Sequence, residues 1–363
     1  GELKNTIALS RGNAFFMSQH VGDLDNPAAL EFFEDCIKHT CWILEIEPKI
    51  LAYDLHPEYE STKWAVRQEG LHRFGVQHHH AHLAAVIGEN GWNDRAIGVI
   101  LDGTGFGLDG TIWGGEVLVG DAATFERHAW LQPVALPGGE AAIRQPWRMA
   151  LSHLHAAFGA ECLNLEIPFV NGLHKGRAET IVEMIEKGIN SPLTSSCGRL
   201  FDAVASLLEI RSEVSYEAQA AIELEMLVEP SEKSVYHDAL PGGDACGSLA
   251  LDALFRAVVR NLIASEDVED VAGRFHRTLV EILIQAVVSA RERHGINTVG
   301  LSGGVFQNAV MLDYFLFRLE QESFSALSHS LVPANDGGLA FGQLVVAQAL
   351  ARRSRTPEII GPV

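Results

Sequence analysis

Gln77-His78-His79-His80-Ala81-His82 is the densest run of metal-capable side chains in the sequence. On a helix, His78 and His82 stand four residues apart and project from one face, where both imidazoles can hold one ion. Such a pair supplies only two ligands, so the run reads either as half of a metal site or as a solvated, end-capping histidine cluster. Two carboxylates elsewhere can complete it. Asp102 follows the apolar run AIGVIL (96–101) and opens Asp102-Gly103-Thr104-Gly105-Phe106-Gly107-Leu108-Asp109-Gly110. A carboxylate at the carboxyl end of a buried strand stands where α/β sheets expose ligand sites. Asp336, in Asn335-Asp336-Gly337-Gly338, opens the last helix and either caps it or faces the same cleft. A His₂Asp₂ set leaves zinc, iron, manganese and magnesium open, because the residue types do not choose among them.

The glycines point to anions. Those after Asp102 let backbone amides approach phosphate oxygens with no Cβ in the way; the alternative is a Gly-rich hairpin turn that Asp102 caps. Strand-Asp-Gly-Thr-Gly-hairpin resembles the phosphate-binding opening of actin-like ATPases and sugar kinases. Leu301-Ser302-Gly303-Gly304-Val305-Phe306-Gln307-Asn308 repeats the order strand, glycines, helix, which makes an anion cradle or simply a strand end packed closely. Asn171-Gly172-Leu173-His174-Lys175-Gly176-Arg177 sets a cation near a phosphate or forms an exposed turn. In Ser195-Ser196-Cys197-Gly198-Arg199-Leu200-Phe201-Asp202, Asp202 can accept ribose hydroxyls, while Cys197 has no evident neighbouring base and reads as structural. Tyr216-Glu217-Ala218-Gln219 starts a helix, with capping as the plain alternative. Arg144-Gln145-Pro146-Trp147-Arg148 opens another, where proline is expected.

Alternating elements must position these residues. Apolar runs at 6–9 and 14–17 read as a hairpin around Arg11-Gly12-Asn13. Asn26-Pro27 supplies an N-cap and first-turn proline for a helix carrying Leu30, Phe33, Ile37 and Cys41. A strand at 50–53 ending at Asp54, a helix at 60–71, a strand at 74–76 and a helix from the histidines to Glu89 complete a first unit. The outline repeats with strands at 96–101, 111–119 and 128–136 and a helix after Pro146. Irregular, partly helical text fills about 162–266. A long helix at 271–293, a strand at 298–301, a helix at 305–319, a strand at 325–327 and a helix at 338–351 follow. The expectation is a duplicated α/β architecture: a first lobe at 1–92, and a second lobe at 93–352 with a helical insertion at about 162–266. A loose tail at 353–363 ends it.

Composition narrows the class. The 363 residues include 47 Asp and Glu against 27 Lys and Arg, for a net charge of −20. With 47% hydrophobic and 20% charged residues, the chain has ample core and is not a disordered acidic segment. The acidic surplus argues against broad contact with nucleic-acid phosphates. Apolar runs fall short of the roughly 18 residues of a membrane span, and no signal-peptide pattern opens the chain. Five cysteines, with no Cys-x-x-Cys, argue against a disulfide framework, so the cytoplasm is the expected compartment. A start at Gly1 without methionine leads us to expect a segment of something longer.

Taken in order, HHHAH, DGTGFGLDG-x-x-WGGE, PWRMAL, SSCGRLFDAVA, YEAQAAIELE, LSGGVFQN and NDGGLAFGQ resemble the carboxy-terminal domain of the nickel–iron hydrogenase maturation carbamoyltransferase family, HypF. LKNT, SQHVGDLDN and DLHPEYEST fit as well, so the likeness runs from Glu2 to about Ala351. The tRNA threonylcarbamoyladenosine transferases and antibiotic O-carbamoyltransferases are related. The resemblance implies an actin-like ATPase (RNase H-like) fold with a divalent metal held in the cleft by His78, His82, Asp102 and Asp336. It implies an adenine nucleotide, the ATP or AMP moiety of carbamoyl-adenylate, at Gly198, Asp202, Gly303, Gly304 and Asn308. Gly103, Thr104, Lys175 and Glu217 stand as substrate contacts. The implied reaction transfers a carbamoyl group from carbamoyl-adenylate to the carboxy-terminal cysteine thiolate of a partner, HypE, with release of AMP; no general base is assigned. Acylphosphatase-like, zinc-finger and adenylating modules would precede this one in cis. Alternatives are a tRNA-modifying or antibiotic O-carbamoyltransferase of the same fold, or a metal- and nucleotide-binding docking module. Ala218 stands where the motif leads one to expect glycine.

Overall fold

The computed structural model describes residues 1–229 and 234–355. The chain opens with the hairpin β1 (Ala8–Arg11) and β2 (Ala14–Met17), then α1 (Pro27–Ile43), β3 (Ile50–Asp54), α2 (Glu60–Arg67), β4 (His72–Val76) and α3 (His78–Glu89). A second run of strands follows: β5 (Ala96–Phe106), β6 (Ile112–Gly120), β7 (Phe125–Leu131) and β8 (Val134–Ala135). Short elements fill the middle: α4 (Glu140–Arg144), α5 (Trp147–Phe158), α6 (Pro168–Gly172), α7 (Lys175–Lys187), β9 (Leu193–Thr194), α8 (Cys197–Leu207), α9 (Gln219–Glu225), β10 (Gly247–Leu249) and α10 (Asp252–Ile263). The end comprises α11 (Val268–His294), β11 (Thr298–Ser302), α12 (Ala309–Gln321), β12 (Ser325–Leu327) and α13 (Leu339–Arg355).

Both halves are mixed α/β and share one plan, a hairpin followed by a parallel pair. In the second, β5, β6 and β7 form an antiparallel meander, and β11 and β12 add in parallel on the other side of β5. In the first, β1 pairs antiparallel with β2, and β3 pairs parallel with β4. One joint differs: β11 pairs directly with β5, whereas no ladder joins β1 to β3 among the described residues. A cavity of about 510 Å³ lies there, lined by β1, β3, α1, α2 and α13 and including Leu9, Phe33, Ile50, Trp64 and Ala347.

Burial follows the same inequality. The large core sits in the second half, where β5, β6, β11, α5, α8 and α11 bury their apolar faces together. The first half has a small cluster around Ile7, Leu24 and Phe33. Helix α3 joins the two. Every residue from His78 to Ile87 is buried, because β5 and β11 cover one side and α13 the other. A helix apolar or histidine-rich all round is stable only in such a place.

Several expectations are adjusted. Strand β5 does not stop before Asp102 but runs on through the glycines to Phe106. Pairing with β6 carries it past a register shift between Leu101 and Gly105. The segment expected at 305–319 begins as a 3₁₀ turn at Gly304–Gln307 and becomes α12 only after Asn308. Helix α13 continues to Arg355, so the expected tail at 353–363 starts within it; residues 356–363 lie outside the described residues.

Candidate metal centre

Gln77 caps α3 by accepting from the His80 N–H at 2.8 Å, which sets His78 in the first turn and His82 one turn on. Both imidazoles are buried, at 0% and 1% exposure, so the solvated reading of the cluster is excluded. Asp102 projects from β5 at the start of the register shift, the kind of irregularity that re-aims a side chain. Asn335, not Asp336, caps the final turn, accepting from the Gly337 N–H at 2.9 Å. That leaves the Asp336 carboxylate free to face the histidines.

The four side chains converge. His78 Nε2 lies 3.4 Å from Asp102 Oδ2 and 3.6 Å from Asp336 Oδ1; His82 Nε2 lies 3.6 Å from each. These separations are longer than ordinary hydrogen bonds, and both Nε2 atoms are buried without a hydrogen-bond partner. A tetrahedron of ligands at about 2.1 Å from a central ion has edges of about 3.4 Å. One ligand atom from each residue falls within 4.8 Å of all the others. The residues therefore fit a four-coordinate ion by burial, donor chemistry and spacing.

Electrostatics agree. Burial disfavours the His78 imidazolium, but Asp336, Asp54 and Asp102 outweigh it and hold the pKa well above its ordinary value. Burial likewise opposes charge on Asp102, yet His78 and His82 pull its carboxyl well below the usual range. Two ionised carboxylates facing two imidazoles demand a cation among them, either protons or a metal.

The outer ring nitrogens are held too. His78 Nδ1 is 2.8 Å from Asp54 Oδ2, which is itself buried. His82 Nδ1 is 3.3 Å from Ser302 Oγ, which lies 2.9 Å from His329 Nε2; His329 Nδ1 is 2.7 Å from Glu89 Oε2. Sequence reasoning missed Asp54, Ser302, His329 and Glu89. Asp54 left a signal, since it ends the strand ILAYD as Asp102 follows AIGVIL, and Ser302 stood in the glycine motif after β11 without a role of its own.

The glycine motifs meet the same centre from the other side. Gly303 has φ +104°, and a Cβ there would lie 2.2 Å from Leu101 O, so only glycine turns the chain so close to β5. The Gly304 N–H donates to Asp102 Oδ1 at 3.0 Å. Ser196 caps α8 and its hydroxyl donates to the Gly103 carbonyl; a Cβ on Gly198 would lie 3.1 Å from Gly103 Cα. Thr104 is half-buried beside them. Two residues are engaged within the protein. Asp202, 2% exposed, accepts from Arg199 Nε at 2.7 Å. Asn308 caps α12 through the Met311 N–H at 2.9 Å and donates to His276 Nε2 at 3.2 Å. Lys175 and Glu217 are exposed and ion-paired, with Glu179 and Lys4 respectively. Cys197 is buried and its thiol is pushed far up by that burial, in keeping with a structural role.

A second buried network adjoins the first. Arg127 lies over the rings of Trp113 and Trp130, at 4.0 and 4.4 Å from their centroids, and donates to Glu116 Oε1 at 2.9 Å. Burial raises the Glu116 pKa to about 7 against the pull of Arg127 and Ser195.

The chain is thus built of two α/β halves that bring a His₂Asp₂ cluster together. Two family models match it: "HypF Kae1-like domain" over residues 1–89, and "Carbamoyltransferase, Kae1-like Domain, second subdomain" over 98–343. The chain belongs to the HypF carbamoyltransferase family. It is 40% identical to carbamoyltransferase HypF2 of Cupriavidus necator over 372 residues, covering 96% of this chain and 46% of that protein. It is 35% identical to a carbamoyltransferase HypF homolog of the same organism, covering 98% and 92%. The crystal structure of full-length HypF in the phosphate- and nucleotide-bound form superposes with a TM-score of 0.91 at 36% identity, covering 96% of this chain and 54% of that one. The chain thus spans about half the length of most of the curated relatives it matches. No helix among the described residues is long and apolar enough to cross a membrane.

Proposed function

We propose that this chain is the carbamoyl-transferring part of a HypF-type enzyme of the cytoplasm, working in hydrogenase maturation. It moves the carbamoyl group of carbamoyl-adenylate to the carboxy-terminal cysteine thiolate of HypE. The sulfur attacks the carbamoyl carbon, the bond from that carbon to the phosphate oxygen breaks, and AMP leaves with the electron pair. One observation carries the reading: Asp102 belongs to the His₂Asp₂ cluster and also accepts from Gly304 in the turn before α12. The cation site and the glycine turn before α12 thus share one carboxylate.

His78, His82, Asp102 and Asp336 would hold the ion, which when bound would supply positive charge opposite the carbonyl oxygen and the leaving phosphate. Nitrogen donors and tetrahedral spacing favour zinc or iron over magnesium, which prefers oxygen ligands in an octahedron. The backbone turn at Gly303 and Gly304, whose own N–H groups are held by Ala334 O and Asp102 Oδ1, would form one wall of the adenylate site, with Gly103, Thr104, Gly198, Asp202 and Asn308 shaping the adjoining wall. Lys175 and Glu217 are not needed for this reading. A thiolate is a strong nucleophile, so the protein needs no strong base. Domains that form the adenylate would be supplied in cis by the rest of a longer protein. The net charge of −20 favours a protein acceptor over tRNA.

The test is to supply carbamoyl-adenylate, or an adenylating domain with carbamoyl phosphate and ATP, together with purified HypE. Mass spectrometry should find one carbamoyl group on its terminal cysteine. Modification of tRNA with HypE left unmodified would overturn the proposal.

A further inference from the structure

We propose that Ser302, His329 and Glu89 are positioning residues for His82, forming a one-way hydrogen-bond chain that keeps its Nε2 free for the metal. The inference rests on the metal reading above but concerns residues outside the ligand set.

With both imidazoles neutral, donor and acceptor inventories leave one consistent arrangement. For His82 Nε2 to bind an ion, its proton must sit on Nδ1, which then donates to Ser302 Oγ across a long 3.3 Å contact. The Ser302 hydroxyl is then free to donate to His329 Nε2 at 2.9 Å. That acceptor puts the His329 proton on Nδ1, which donates to Glu89 Oε2 at 2.7 Å. Glu89 must be an acceptor, and the rest of its carboxylate shows that it is. Oε1 takes the N–H groups of Ser330 at 2.9 Å and Leu331 at 2.5 Å, and the Ser330 hydroxyl at 3.0 Å. Every link points the same way, from ligand to carboxylate, and a reversed tautomer at either histidine would leave two donors or two acceptors facing each other. Ser302 is fully buried, and the side chains of His329 and Glu89 are 6% and 5% exposed, so water does not readily substitute.

The two histidine ligands are therefore held differently. His78 has a carboxylate directly behind it, at Asp54. His82 reaches its carboxylate only through two neutral groups that join the end of α3, the end of β11 and the segment after β12. Outer partners of this kind fix the ring and its tautomer, and losing one costs roughly 10–100-fold in metal affinity.

Zinc affinity measured by chelator competition, with two-bond ¹H–¹⁵N spectra of histidine-labelled zinc-loaded protein, tests the proposal. Ser302→Ala should weaken zinc binding at least roughly tenfold and broaden or shift the His82 Nδ1–H signal. Glu89→Gln keeps the acceptor toward residues 330–331 but puts an amide donor against His329, and it should do the same with a near-normal urea midpoint for the metal-free protein. The double variant should lose little more than either single one, because the chain acts as a unit. Unchanged zinc affinity and an unchanged His82 tautomer in both variants would overturn the proposal alone. A parent protein that takes up no zinc would overturn the metal reading and this proposal together.

Discussion

Ala218 has φ +60° at the start of α9, a left-handed conformation that a side chain disfavours. The departure from the expected glycine is therefore a point of strain rather than a change of chemistry. Ala218→Gly should stabilise the fold by about 0.5–1 kcal/mol, read as a higher urea midpoint at unchanged slope. Glu116 gives a prediction in pH. Its pKa is raised from 4.5 to about 7, by burial against the pull of Arg127, so the fold favours the protonated form. That contribution is complete below pH 4.5 and is lost as pH rises toward 7, up to about 3 kcal/mol. Glu116→Gln should lack this loss, so its urea midpoint relative to the parent should climb between pH 4.5 and 7. At this scale the sequence was informative about residues whose type is rare and whose spacing is local. His78 and His82 stood out, and Asp102 and Asp336 stood beside glycines. His329 and Glu89 did not, and Ser302, although beside Gly303, was given no role, because an ordinary polar residue gains its role only from neighbours far along the chain.

Helices α3 and α13 cross in close contact, and a Cβ on Gly342 would lie 1.9 Å from Ala81 O. Ala81 stands beside His82, and Asp336 opens the 3₁₀ turn that leads into α13, so this crossing should help set the distance between ligands from the two halves. Gly342→Ala should cost about 1–3 kcal/mol as overpacking and also weaken metal binding, checked by calorimetry and chelator competition on one preparation. Retained metal affinity would show that Asp336 is placed by its own turn rather than by the helix. Most elements were legible from apolar periodicity and from signals such as Asn26-Pro27, whose cap accepts from the Ala29 N–H at 3.0 Å. The misses have physical causes. Glycines normally end a strand, but the ladder to β6 and the seat of His79 against Gly105 hold β5 extended to Phe106. Helix α13 ran past its expected end because Ala351-Arg352-Arg353-Ser354-Arg355 contains no breaker.

The candidate ligands span the chain from His78 to Asp336, and folding must assemble them before an ion can be held. A ligand bound only by the folded state stabilises by linkage, by about 2.7 kcal/mol at a hundredfold excess over its dissociation constant. Zinc should therefore raise the melting temperature of the parent protein and not that of a His78→Ala/His82→Ala double variant; equal shifts in both would remove the ligand assignment. The duplicated plan and the larger second lobe were read at this scale too, but the missing ladder between β1 and β3, where the halves are unequal, was not, since strand pairing leaves no mark in composition.

That inequality has a kinetic consequence. Strands β1 and β3 flank a cavity instead of pairing, and the small cluster beneath them offers little to resist opening. The first half should exchange its amide hydrogens well before β5 and β11 do, as a separate cooperative unit. His78 follows directly on β4 and is tethered to Asp54 at the end of β3. Each opening of that unit would loosen one corner of the coordination set while the other corners stay in the stable half. Escape of the ion would then be gated by the breathing of the weaker half, and its release into excess chelator would level off at that opening rate.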